Sequence, residues 1–100
     1  MVDIAEVKNY LNRTYDDPES DKKLQGIMKR AESKVRKLIG AVNGEELDPD
    51  EEQLFLDCCR YLDNNAAEEF DVNFRETINS LRYARSVAGM ESEEAEEMIS

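Results

Sequence analysis

Residues 21–39 read DKKLQGIMKRAESKVRKLI, and the period of this stretch decides the fold. Projected at about 100° per residue, Leu24, Ile27, Met28, Ala31, Val35, Leu38 and Ile39 fall within an arc of roughly 120°, the width of a core-facing helical stripe. Lys22, Lys23, Lys29, Arg30, Lys34, Arg36 and Lys37 occupy the rest of the circumference. The stretch holds seven basic and two acidic residues, whereas the chain as a whole carries −11, so everything outside the stretch sums to −16. A cationic amphipathic helix is set in an anionic body.

Working outward, capping chemistry marks further helix starts. Asp3-Ile4-Ala5-Glu6, Asp48-Pro49-Asp50-Glu51 and Asn73-Phe74-Arg75-Glu76 each place an Asx side chain to accept from the N3 amide, with Glu reaching back. The long helix starts near Asp17-Pro18 or Ser20, with Pro in a first-turn position, and ends at Gly40, a residue suited to a left-handed C-cap. The pattern predicts a short helix over about 3–12, the long one to 39, a third over about 49–65 and a fourth from about 74 to Gly89. Residues 64–73 read as a loop or frayed end. Phe55, Cys58, Cys59, Leu62 and Ala66 form the inner side of the third helix, and Phe74, Ile78, Leu81 and Ala88 share one side of the fourth. The expected architecture is all-α: a small bundle of about four helices, two of them longer and central, in one domain over 1–89. Residues 90–100 hold five Glu and no basic group, and read as a mobile acidic tail. In that tail, Ala95, Met98 and Ile99 have the spacing of a short docking helix.

A chain of 100 residues buries one modest core, not a core and a deep substrate cleft. Stretches without charge are far shorter than the roughly 18–20 apolar residues of a membrane span, and the N-terminus lacks a signal peptide's basic start and apolar run. The expectation is a cytoplasmic, unexported protein without membrane contact. Cys58 and Cys59 are adjacent, so on a helix they point about 100° apart and form no ordinary bridge; they read as reduced packing thiols. With no histidine in the chain, no zinc set and no neutral-pH proton shuttle is apparent. The carboxylates are spread over solvent-facing positions, and no Gly-rich loop opens a helix. The expectation is therefore no enzyme and no cofactor.

The cationic helix raises the question of a partner. The surrounding −16 opposes a polyanion at moderate salt, so tight DNA binding is disfavoured. Residues 40–71 carry eleven acidic groups and one basic, so the third helix can neutralise one flank of the cationic helix, each exposed pair contributing about 0–1 kcal/mol. Side chains that surround the other flanks then form a positive wall, and head-to-tail contact with the negative wall of another copy follows. The interface residues expected are Lys22, Lys29, Arg30, Lys34, Arg36 and Lys37 on one side, with Asp50, Glu51 and Asp57 on the other.

Three stretches carry a family resemblance: Val2-Asp3-Ile4-Ala5-Glu6-Val7-Lys8-Asn9-Tyr10-Leu11 before an Asp-rich turn; Leu24-Gln25-Gly26-Ile27-Met28-Lys29-Arg30-Ala31 with Val35, Leu38, Ile39 and Gly40; and Phe74 with Ile78-Asn79-Ser80-Leu81-Arg82. In order and spacing they resemble the phage head-tail connector family, small helical adaptors beneath the portal. The resemblance implies a structural virion subunit at the head-tail interface, made in the host cytoplasm, forming a homo-oligomeric ring commonly of twelve copies. Such a ring extends the portal channel, joins a tail-side stopper protein and passes DNA without reading its sequence. It also implies that the C-terminal region faces the portal, through Arg82, Tyr83, Arg85, Met98 and Ile99. The glutamate-rich end departs from the family pattern. The rival reading is an acidic binding module, such as a DNA-mimic inhibitor of a basic host protein, using Asp50, Glu51, Glu52, Asp57 and Glu68.

Overall fold

Local hydrogen bonds at the helix ends explain where each element starts and stops. The computed structural model describes residues 2–13 and 17–99, and in 89–99 the backbone alone. Asp3 accepts from the Glu6 amide at 2.9 Å and opens α1, Ile4–Tyr10. Asp17 caps α2, Pro18–Ile39, through the Glu19 amide, with Pro18 in the first turn and Gly40 closing the helix at φ 78°. A complete capping box opens α3, Pro49–Asp63: Asp48 accepts from the Glu51 amide at 2.9 Å and the Glu51 carboxylate accepts from the Asp48 amide at 3.0 Å. Each such cap satisfies amides that a helix start leaves without partners, and contributes about 1 kcal/mol.

The segment expected to be a loop contains a further helix, α4, Ala67–Asn73, and α5 follows as Arg75–Ile99. No side chain caps α4 at Ala66, so nothing in the local sequence announces it; a tertiary anchor holds it instead. Phe70 is fully buried, stacks on Phe74 at 5.0 Å and meets the edge of Tyr61 at 5.7 Å. Such aromatic contacts add about 0.5–1.5 kcal/mol each beyond the area they bury. Asn73 does not open the next helix as its Asx-x-x-Glu spacing predicts: it ends α4, and its amide donates to the Tyr61 hydroxyl at 3.1 Å. The backbone of α5 also runs through Gly89 to Ile99 rather than stopping there. Glycine weakens a helix interior by about 1 kcal/mol without breaking it. The side chains of the tail, Met98 and Ile99 included, lie outside the described residues.

The described residues form an all-helical structure without strands. α2 is the spine, packed on α1, α3 and α5, with α4 bridging α3 and α5. Leu24, Ile27, Ala31, Val35 and Ile39 are buried along its stripe and meet Val7 of α1, Phe55, Cys58 and Cys59 of α3, Phe70 of α4 and Ile78 of α5. At about 1.5–3 kcal/mol per buried large side chain, this single core is the main stabilising term. Two ion pairs, Lys8 to Asp21 at 2.6 Å and Arg13 to Asp63, and a hydrogen bond from the Tyr10 hydroxyl to Asp57 fasten the periphery. The molecule is elongated, 56 × 25 × 17 Å.

Candidate functional site

Burying the α2 stripe turns its opposite side to solvent. Lys22, Lys23, Lys29, Arg30 and Lys37 are exposed there, and none makes an ion pair among the described residues. Arg30 borders a shallow groove that also holds Glu68 and Glu69, so part of its charge is balanced at longer range. Gly26 lies in the middle of this face, exposed, and a Cβ built on it meets no atom within 4 Å.

Two of the expected interface charges are internal instead. Arg36 is 5% exposed: its Nε donates to Glu32 at 3.1 Å and its Nη1 to the Val42 carbonyl at 2.8 Å, tying the end of α2 to the loop after it. Glu51 is 2% exposed and accepts from Arg85, whose guanidinium also binds Glu45 and donates to the Glu46 carbonyl at 3.2 Å. The physical reason is the same in both cases. Leu47 is buried, which folds loop 40–48 back over the end of α2 and against the middle of α5, and brings the Val42 and Glu46 carbonyls and the Glu45 carboxylate to the two arginines. Arg85, expected at a portal contact, is thus a staple between α5 and the start of α3. Its hydrogen bond to Glu51 raises its pKa and holds the charge in place.

The remaining expected residues divide. Lys34 is paired with Asp71 at 3.1 Å, and Asp57 is held by Tyr10 and, at 3.7 Å, by Arg60. Burial and this hydrogen bond to Asp57 raise the Tyr10 pKa. Asp50 and Arg82 are exposed, and Tyr83 is 72% exposed on α5. The acids of the rival inhibitor reading form no continuous free face, because Glu51 is buried and Asp57 is engaged.

A groove of about 550 Å³ runs between α3 and α5, with Leu54, Phe74 and Leu81 as its floor and Asp50, Asp57 and Glu76 on its rim. Asp50 and Glu76 make no ion pair among the described residues. Gln53 and Asp57 line the groove, each two residues from a fully buried neighbour, Phe55 and Cys59. Positions two apart on a helix point about 200° apart, so the groove opens away from the core that α2 covers. From sequence alone, Gly26 falls only within the α2 pattern and Glu76 only at a helix cap, and neither is given a place on an exposed surface. The available signal was a glycine in a helix interior with cations three and four residues away on both sides.

Cys58 and Cys59 are free and fully buried, with pKa values pushed up to about 11 and about 12 by loss of hydration. Buried thiols of this kind are inert packing groups. Among the described residues no cluster of His, Cys, Asp or Glu has metal-binding geometry, and no helix is long and apolar enough to cross a membrane. Comparison with known proteins finds no matching family model, no matching curated protein and no matching solved structure.

Proposed function

We propose that this chain is a structural subunit of a phage head-tail connector, which assembles head-to-tail into a ring that extends the portal channel and lets DNA pass. The observation that carries the reading is the outer face of α2, where five cations stand exposed without an ion-pair partner among the described residues of a chain of net charge −11. A subunit with one such face and acidic surface elsewhere gains contact energy by meeting further copies, and heterologous contacts of this kind close into rings when the rotation per step permits. The order and spacing of the three connector-like stretches support a position for the ring between a portal and a tail-side stopper protein. An acidic bore repels the phosphate backbone, so DNA slides through without sticking. The subunit acts by shape and charge, with no catalytic step and no cofactor.

Co-elution tests the assignment. The chain is mixed with a portal protein from the same genome and run on size exclusion with light scattering. A complex with several copies of the chain per portal ring is expected; free monomer and free portal side by side contradict it. Binding to a basic host protein with no portal complex favours the inhibitor reading.

A further inference from the structure

Gly26 has no internal reason to be glycine. It lies well inside the 22-residue helix α2 in an ordinary helical conformation, and a Cβ there meets no atom of its own subunit within 4 Å. Glycine nonetheless weakens the helix relative to alanine. Lys22, Lys23, Lys29 and Arg30 stand at i−4, i−3, i+3 and i+4, the positions that surround a residue on a helix surface. The result is a notch rimmed by four cations, into which another polypeptide can come close to the α2 backbone. The groove between α3 and α5 has the complementary character: free carboxylates at Asp50 and Glu76 above an apolar floor of Leu54, Phe74 and Leu81. Tyr83, one heptad after Glu76 and so on the same side of α5, extends that edge with a largely exposed ring.

We propose that this groove is the seat for the Gly26 face of α2 from a second copy of the chain. Gly26 lets the α2 backbone sink between the walls of the groove. The lysine stems then lie along the apolar floor while their ammonium groups reach the carboxylate rim. Because knob and seat are different surfaces on different faces, each copy offers one and receives one, which is the geometry of a ring. The assignment rests on the assembly reading above and adds to it which two surfaces meet. Duplex DNA is the competing occupant of the cations, and the net charge of −11 opposes it.

Three variants test the seat by light scattering, alone and with the portal protein: Gly26→Gln, Lys22→Glu with Lys29→Glu, and Asp50→Lys with Glu76→Lys. Gly26→Gln fills the notch with a good helix former, so it should melt several degrees higher than the parent chain and lose the oligomer. Each charge reversal alone should abolish the oligomer, and their combination in one chain should restore it. If the parent chain assembles and Gly26→Gln or either reversal assembles equally well, the seat is wrong while the assembly reading stands. If the parent chain never assembles, both fall. If Lys22→Glu with Lys29→Glu assembles normally but loses salt-dependent binding to duplex DNA, the patch is a nucleic-acid surface and the seat is overturned.

Discussion

At the residue scale, burial decides what each charge does. Arg36 and Arg85 look alike in the sequence to Arg30 and Arg82, yet the first two are held by helix carboxylates, Glu32 and Glu51, together with groups of loop 40–48, and the last two are exposed. A wheel drawn on α2 places Arg36 only about 60° from Ile39, at the edge of the stripe, but the carbonyl of Val42 that meets it comes from a loop whose path no helical period encodes. Removing one partner of a buried ion pair leaves the other uncompensated, at a cost of about 3–5 kcal/mol for a fully buried pair and less here because Arg85 keeps some exposure. Arg85→Ala is expected to lower unfolding free energy in urea by about 2–3 kcal/mol, and a change within 0.5 kcal/mol contradicts the staple. The two thiols make a pH prediction. Their folded pKa values, about 11 and about 12, lie above the ordinary 9.0, so folded chain keeps protons that unfolded chain gives up. Below about pH 9 both states are protonated and the contribution is intact. Above it the unfolded state binds fewer protons, and stability falls until the folded values are passed, by at most about 1.4 kcal/mol per pH unit for each thiol. Urea midpoints between about pH 8 and pH 10.5 should therefore drop more for the parent chain than for Cys58→Ala with Cys59→Ala, and parallel drops count against it.

At the scale of elements, local signals locate the starts of α1, α2 and α3 and the end of α2, whereas the cap expected at Asn73 and the stop expected at Gly89 do not form. Asp3, Asp17 and Asp48 each cap a helix, with the expected return contact from Glu completed at Asp48 and not at Asp3, Gly40 takes the left-handed conformation, and five of the seven stripe residues of α2 are buried with the other two partly so. These features depend on residues within a few positions of one another. α4 depends on side-chain packing rather than on a local cap: it has no side-chain cap, a polar sequence and seven residues, too short to persist alone. Phe70 holds it through Tyr61 of α3, nine residues earlier, and Phe74, the residue that caps its C-terminal end, a ring packing that neither helical period nor cap spacing announces. Phe70→Ala should therefore cost about 3–5 kcal/mol and unfold α4 first. Hydrogen exchange checks this, with protection lost at 67–73 before the α2 amides; uniform loss across all helices contradicts a locally anchored element. The expected stop at Gly89 failed because one glycine among good helix formers weakens a helix without ending it.

At the scale of the molecule, the fold places a cationic helix face and an acidic groove on different sides of an elongated subunit, 56 Å in its longest dimension. Amphipathic period and charge count alone indicated that α2 had a positive outer side; which acids remain free to meet it became legible only once Glu51, Asp57 and Asp71 were seen to be engaged within the subunit. Contacts between exposed charges are screened with a Debye length of about 8 Å at physiological salt, so an assembly held this way loosens as salt rises, while its apolar floor sets what survives. The oligomer is expected to lose mass between about 0.05 and 1 M salt without loss of helicity. The most direct measurement is the mass of the parent chain and of the quadruple variant Lys22→Glu, Lys29→Glu, Arg30→Glu, Lys37→Glu by light scattering, each with the portal protein and at matched helicity. A ring or portal complex for the parent and a monomer for the variant is the predicted result; the same assembly from both would contradict the account.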